Sequence, residues 1–342
     1  MRMPADVSNV VVMSMAVSQM DRESLTSPAR AGSAERKRPV MVAIVGDSAA
    51  GKTTLTRGIA NILGPHRVTV ICTDDYHRYG REARKGLTVT PLHPDCNYMD
   101  IMDQHLRLLA LGEPILKPVY NHTDGSLDAP ELIEPSEIVV VEGLLATHSK
   151  AMRDCFDVKV YLDPPEELRR EWKIRRDCQK RGYDRDEVLR QLEERETDSN
   201  EYIRPQRKHA DIVVRFHPGA QGMADGAQLS VKLVLRPTLP HPYLLEIAEQ
   251  AAVDSVRPIR LALDRDAGKP VDILEVDGET PPEVSAVAED LILDRLQLEE
   301  STLARDAIGT FQDETSQRRS ESLAMTQLLL VYQLKSAQMG EA

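Results

Sequence analysis

The segment Met41-Val-Ala-Ile-Val45-Gly46-Asp47-Ser48-Ala49-Ala50-Gly51-Lys52-Thr53-Thr54 decides how the rest of this chain is read. Five apolar residues run into an octapeptide of the form G-x-x-x-x-G-K-[ST], and an amphipathic stretch, Lys52–Leu63, follows. Strand, glycine-rich turn and helix in that order make a phosphate cradle. Gly46 and Gly51 allow backbone conformations that are costly for residues with a Cβ. The N–H groups across Asp47, Ser48, Ala49 and Ala50 can then turn inward around an anion, and the helix start at Thr53 and Thr54 adds its dipole. Lys52 can reach the β and γ phosphates, and the Thr53 hydroxyl can take a Mg²⁺ position. The segment predicts a nucleoside triphosphate site without naming the phosphate acceptor.

Outward from the cradle, short apolar runs alternate with charged amphipathic stretches. Met41–Val45, Val68–Cys72, Ile138–Val141, Val158–Leu162 and Ile212–Val214 read as buried strands. Lys52–Leu63, Tyr98–Ala110, Glu166–Arg181 and Arg185–Arg195 read as helices, so the pattern predicts an α/β fold, a largely parallel sheet flanked by helices. After Pro218 the rhythm changes: strands are expected at Leu229–Leu235, Ile259–Leu263 and Val271–Val276, then two amphipathic helices at Pro281–Leu296 and Arg319–Leu334. The chain therefore divides into a disordered extension (1–38), a P-loop core (39–218) and a C-terminal α+β extension (219–342) suited to oligomerisation or regulation. The apolar stretch Val10–Val17 is short and flanked by Asp6, Asp21 and Glu23, which argues against a targeting peptide.

The 342 residues carry 29% charged and 41% hydrophobic side chains, enough for a globular core. A net charge of −12 counts against general nucleic-acid binding. Four Cys without paired spacing make neither a disulfide framework nor a zinc site, and a reducing cytoplasm is the simplest setting. No apolar run is long enough to span a membrane.

The acceptor side begins after the second strand, at Thr73-Asp74-Asp75-Tyr76-His77-Arg78-Tyr79-Gly80-Arg81. Strand carboxyl ends face the ligand crevice in a parallel sheet, so one carboxylate there can take a proton from an attacking hydroxyl. In extended chain Asp74 and Asp75 point opposite ways, so only one of them serves; the alternative is that both cap the next turn. His77, Arg78, Arg81, Arg84 and Lys85 are a cationic cluster suited to a phosphorylated substrate. Glu142 ends the run Ile138–Val141 where a Mg²⁺-bridging acid would sit. Lys117–Gly125 reads as a loop, with Tyr120 and His122 as hydroxyl or phosphate contacts. From residue 169 to 185 the chain carries Arg169, Arg170, Lys173, Arg175, Arg176, Lys180, Arg181 and Arg185 against Glu171, Asp177 and Asp184. Lys173, Arg176 and Lys180 share one helix face, which is either a lid over the phosphoryl group or a solvated face with pairs such as Lys173–Asp177.

These residues together resemble the phosphoribulokinases, within the broader group that includes uridine kinases. The cradle and Arg176-Asp-Cys-Gln-Lys-Arg181-Gly182 are shared across that group, whereas Asp74-Asp-Tyr-His77-Arg-Tyr-Gly-Arg81 and Lys117-Pro-Val-Tyr120-Asn-His122 look like the sugar-phosphate side of a phosphoribulokinase. The resemblance runs closely from Val40 to Pro218 and more loosely beyond. It implies ATP and Mg²⁺, with Asp74 as base and Glu142 helping to hold the ion. His77, Arg81 and Lys85 would bind the sugar phosphate, Lys173, Arg176 and Arg181 would form the substrate and lid set, and Arg195 would lie near the nucleotide. The implied reaction converts ribulose 5-phosphate to ribulose 1,5-bisphosphate in the reductive pentose phosphate (Calvin) cycle, in a homodimer.

Two departures stand out. Ala49 replaces a usual Gly, which is expected only to tighten the loop. Ala50 stands where light-regulated members carry a cradle Cys, and no C-terminal Cys pair follows, so Cys72 has no partner for that thiol switch. Two rivals remain open: a uridine-type nucleoside kinase, and a catalytically silent nucleotide-binding regulator.

Overall fold

The computed structural model describes residues 38–87, 89–219, 222, 228–252, 257–296, 303–312 and 316–340, apart from the side chain of Lys180. The expected N-terminal extension lies, except for Arg38, outside the described residues.

The strands are β1 (Val40–Gly46), β2 (Val68–Cys72), β3 (Ile115–Tyr120), β4 (Leu127–Ile133), β5 (Ile138–Gly143), β6 (Val158–Leu162), β7 (Ile212–Pro218), β8 (Leu229–Leu235), β9 (Ile259–Asp266), β10 (Lys269–Val276), β11 (Thr310–Gln312) and β12 (Gln317–Arg319). The helices are α1 (Lys52–Leu63), α2 (Arg81–Arg84), α3 (Met99–Ala110), α4 (Lys150–Arg153), α5 (Glu166–Arg181), α6 (Arg185–Glu194), α7 (Glu196–Asp198), α8 (Leu244–Gln250), α9 (Pro282–Leu296) and α10 (Glu321–Met339).

Eight strands form one sheet in the order β2-β5-β1-β6-β7-β8-β10-β9. The first five are mutually parallel, and β8, β10 and β9 continue antiparallel. Alternation along each strand sends side chains to opposite faces. Val40, Val42 and Ile44 of β1 belong to the cluster that holds Leu55 and Ile59 of α1, Ile292 of α9 and Leu328 of α10. Met41, Ala43 and Val45 belong to the cluster with Met102, Leu106 and Leu109 of α3. Helices on both faces of a five-strand parallel run explain why those strands are apolar almost throughout.

The boundary expected at Pro218 falls at the end of β7, and β8 pairs with β7 from Leu235 to Leu229, so the sheet runs across it. Two expectations are corrected. Lys117–Gly125 is only partly a loop: residues through Tyr120 belong to β3, which pairs with β4 across a bulge between Lys117 and Val119. Pro118 sits at that irregularity, where its missing N–H disturbs the ladder least. The helix expected at Arg319–Leu334 starts at Glu321 and is buried nearly all round rather than amphipathic. Most of its polar residues find internal partners, with Ser322 donating to Leu229 O (2.6 Å) and Thr326 to Ser322 O (2.8 Å), while Gln327 Nε2 and Gln333 Oε1 are buried without one among the described residues. Among the described residues no helix is long and apolar enough to cross a membrane.

Candidate active site

β5 lies between β1 and β2, with Val45 opposite Gly143 and Cys72 opposite Glu142. The phosphate cradle, Glu142 and the Asp74 turn therefore leave neighbouring strands at one edge. Two glycines make this possible. A Cβ on Gly46 would lie 2.7 Å from Leu162 O of β6, and one on Gly143 would lie 1.7 Å from Thr73 Oγ1. That Thr73 oxygen accepts from the amide of Leu144 and ties the ends of β2 and β5 together.

In the cradle, Gly51 sits at φ 97° just before α1, in the region that favours glycine. The amides of Ala49, Gly51, Lys52 and Thr53 donate to no group of the described protein, which leaves them available to an anion. Lys52 Nζ donates to the carbonyls of Gly46 (2.9 Å) and Asp47 (2.8 Å). Burial lowers the Lys52 pKa despite the opposing fields of Asp74, Glu142 and Asp47. Asp47 is buried; its carboxylate accepts from its neighbour's amide at Ser48 (2.6 Å) and from the Ser199 hydroxyl. Thr54 is exposed on the first turn of α1.

Ala49 stands at φ 64°, a left-handed conformation for a residue with a Cβ, so it does more than tighten the loop. That conformation costs roughly 1–2 kcal/mol, partly offset because glycine loses more chain entropy on folding. Ala49→Gly is therefore expected to stabilise the protein by about 0.5–1 kcal/mol, raising Tm by about 2 °C in thermal unfolding. A fall in Tm would show that the alanine is not strained.

Thr53 Oγ1 donates to Glu142 Oε1 at 3.1 Å, and Thr56 Oγ1 donates to Glu142 Oε2 at 3.4 Å. Burial raises the Glu142 pKa, against Lys52 and the Thr53 hydrogen bond. A hydroxyl and a carboxylate oxygen this close are hard donors of the kind Mg²⁺ takes, so the residues present fit that ion.

The acceptor side is a 3₁₀ turn, Thr73–Tyr76, rather than extended chain, and it separates the two acids. Asp75 turns away to Lys117, which donates to it at 2.5 Å, and to the Tyr120 amide at 3.0 Å. Burial lowers the Lys117 pKa, but hydrogen bonds to Asp75 and Glu131 outweigh it and the net shift is upward. Asp74 faces the cradle. Burial pushes its carboxyl up, yet His77, His122, Lys52 and Arg181 together pull it below the usual range. Among the described residues no hydrogen bond reaches that carboxylate.

His77 is buried, with Nδ1 2.7 Å from Asn97 Oδ1. Asn97 Nδ2 donates to the carbonyls of Pro91 and His93, which fixes its amide and makes His77 Nδ1 the donor. Burial lowers the His77 pKa, so at neutral pH its Nε2 is an acceptor. The Tyr120 ring packs edge-on to His77 (5.0 Å) and to His122 (5.1 Å).

The cationic cluster divides. Lys85 is exposed and pairs with Glu82 at 2.8 Å. Arg81 donates to the carbonyls of His122 (2.8 Å) and Thr123 (3.4 Å), pinning the β3–β4 turn. Arg84 is the inward cation. Its Nη2 donates to the Tyr120 hydroxyl at 2.6 Å, and its Nη1 is buried without a partner among the described residues. Sequence reading counted Arg84 in the cluster but not as a site residue; the one signal available was its place one helical turn beyond Arg81.

Helix α5 is not a solvated face. Lys173 and Asp177 are each 1% exposed and joined at 2.7 Å. Asp177 also holds Arg176 (2.8 Å) and Arg181 (3.5 Å). Burial, and next Arg195, push Lys173 down to about 8. Arg176 reaches the Ser48 hydroxyl (3.5 Å), and the buried Arg169, counted in the basic run but not singled out as a site residue, donates to Ser48 O (2.9 Å). Arg195 carries a lowered pKa from burial and lies in the fields of Asp177, Arg84 and Asp74.

Residues 41–221 match the phosphoribulokinase/uridine kinase family. The chain is 41% identical over 181 residues to a phosphoribulokinase of Synechocystis sp., covering 53% of this chain and 54% of that protein. It is 34% identical to a chloroplastic phosphoribulokinase of Spinacia oleracea over 56% of this chain and 52% of that one. These alignments span about half the length of the phosphoribulokinases they match. A uridine kinase of Lactobacillus helveticus aligns at 31% identity over 52% of this chain and 87% of its own. Among solved structures, a phosphoribulokinase from Rhodobacter spheroides is similar in fold, with TM-score 0.55 and 18% identity over 76% of this chain and 97% of that one. Because the matched segment begins inside β1 and runs past the end of β7, taking in the cradle, the Asp74 turn, Glu142 and α5, the chain belongs to the phosphoribulokinase/uridine kinase family.

Proposed function

We propose that the chain transfers the γ-phosphoryl group of ATP to the 1-hydroxyl of ribulose 5-phosphate, giving ribulose 1,5-bisphosphate and ADP, as its phosphoribulokinase relatives are named to do. The observation that carries the reading is the Asp74 carboxylate: held below the usual range by its cationic neighbours, without a hydrogen bond among the described residues, and between the cradle's lysine and a wall of His77, Tyr120, His122 and Arg84.

The cradle amides and Lys52 hold the phosphates, and Mg²⁺, held by Thr53 and Glu142, supplies charge neutralisation there when bound. Asp74 accepts the proton of the attacking hydroxyl. Neutral His77 accepts a hydrogen bond from a sugar hydroxyl through Nε2. Arg84 offers its unpartnered Nη1 to the 5-phosphate, the kind of anion a guanidinium grips with two hydrogen bonds. Arg176 and Arg169 keep Ser48 and the cradle in place. The role first assigned to Lys85 passes to Arg84. The homodimer and the cytoplasmic setting belong to the same proposal, and β9, the open edge of the sheet with Leu263 exposed, is where a second copy could pair.

The test measures ADP release with Mg-ATP and either ribulose 5-phosphate or uridine, for wild type and Arg84→Ala. Ribulose 5-phosphate is expected to be strongly preferred, with Arg84→Ala raising its KM at least about tenfold and leaving the KM of ATP unchanged. A preference for uridine would overturn the assignment in favour of a nucleoside kinase. ATP binding without turnover would favour a silent regulator.

A further inference from the structure

Three side chains from three elements meet beside the cleft. Cys72 ends β2, Asp74 lies in the 3₁₀ turn, and His122 sits in the turn between β3 and β4. One ligand atom from each, a thiol sulfur, a carboxylate oxygen and an imidazole nitrogen, lies within 4.8 Å of the others. Their spacing along the chain matches no metal motif, because the fold rather than the sequence assembles them. No hydrogen bond holds the Asp74 carboxylate or the His122 ring among the described residues. Cys72, Asp74 and His122 are all at least partly accessible.

We propose that Cys72, Asp74 and His122 form a binding site for a soft divalent cation of the zinc class, and that the loaded site switches the enzyme off. A thiolate, a carboxylate and a neutral imidazole form a mixed set that suits zinc, with a fourth position left for water. Their charges would sum to about −2, matching the cation. Tetrahedral ligands around zinc lie about 3.5 Å apart, so closure needs a movement of about 1 Å, which rotation of the exposed His122 side chain can supply while Arg81 holds its carbonyl. Mg²⁺ prefers oxygen ligands and does not compete for a thiol, so Thr53 and Glu142 remain a separate site.

Burial and the fields of Asp74 and Glu142 keep the Cys72 thiol protonated, while the Asp74 amide acts the other way. The same two carboxylates draw a cation in. On binding, a metal–sulfur bond forms and the thiol proton leaves to solvent. Binding stands on the three side chains alone; inhibition rests on the reading of Asp74 as base, since a coordinated carboxylate cannot take the hydroxyl proton.

The full chain is titrated with Co²⁺, which reports thiolate ligation through a near-ultraviolet charge-transfer band. One equivalent should produce the band, zinc should displace it, Cys72→Ser should abolish it, and Cys178→Ser should keep it. In the Mg-ATP and ribulose 5-phosphate assay, buffered free zinc should inhibit wild type reversibly on chelation. Cys72→Ser should keep its basal turnover and need at least tenfold more zinc. No band, or a band that survives Cys72→Ser, overturns the site. A band lost with unchanged zinc inhibition overturns the switch. Because the band is read without substrate, failure of the kinase reading leaves it untouched.

Discussion

Asp74→Asn is expected to lower kcat with ribulose 5-phosphate by about 10³-fold, within the 10²–10⁴ span typical of a lost general base. Asparagine has nearly the same shape but cannot take a proton. The other two carboxylates of the described site are committed elsewhere: Asp75 to Lys117 and the Tyr120 amide, and Glu142 to Thr53 and Thr56. His77 uses Nδ1 to hold Asn97. The low Asp74 pKa means that the carboxylate is already ionised at neutral pH, so the proton moves late, once bonding to phosphorus acidifies the hydroxyl. The substitution also removes the largest favourable field at Lys52. Nucleotide binding measured by calorimetry separates the two effects. An ATP Kd within a few-fold of wild type assigns the loss to chemistry; turnover unchanged would remove Asp74 from the base role.

The second large effect is on stability. Asp177→Ala is expected to cost about 3–5 kcal/mol, the usual result of breaking a buried ion pair from one side. Three cations share Asp177, but their exposure decides which bears the cost. The side chains of Arg176 and Arg181 are 32% and 37% exposed and can turn to water, whereas Lys173 is 1% exposed and cannot. Lys173 has one escape, which is to release its proton. Held at about 8 with Asp177 present, it falls further without it, while the unfolded chain keeps an ordinary lysine. The folded variant then binds fewer protons than the folded wild type between about pH 6 and 8, so the stability deficit shrinks as pH rises through that window. Urea unfolding at both pH values reads this directly. A deficit below about 1 kcal/mol at pH 6, or one that grows with pH, would show that Lys173 is not stranded. Adding Lys173→Met should recover part of the loss.

The parallel half of the fold was legible because its signals are local. β2, β6, α1 and α5 fall where the apolar runs and charged periods place them, and the cradle carries its glycines in sequence. What was not legible depends on partners far along the chain. β4 is exposed almost throughout and carries Pro130, so nothing in its own residues marks a strand; it exists by pairing with β3. The burial of α10 was hidden because its serines, threonine and glutamines find internal partners such as Leu229 O.

The site divides the same way. Residue types at Lys52, Asp74 and Glu142 follow from their places at strand ends. Lys85 and Arg84 differ by a single helical step that sequence cannot resolve; the structure turns Arg84 to the Tyr120 hydroxyl and Lys85 to Glu82, which supports the proposal that Arg84 holds the phosphate. The basic helix left a lid and a solvated face equally open because Asp177 looked like an ordinary i,i+4 partner. Buried with Lys173, it instead helps anchor α5, which meets the cradle through Arg169 and Arg176.

The central claim is that the shared crevice of Lys52 and Asp74 delivers phosphorus to a sugar hydroxyl. Phosphorus NMR of a reaction with Mg-ATP and ribulose 5-phosphate tests it by showing where the γ-phosphoryl group goes. The account predicts one new phosphomonoester signal coupled to the C1 protons of the sugar for each ADP formed. Free phosphate in place of that signal, or no consumption of ATP, would contradict it.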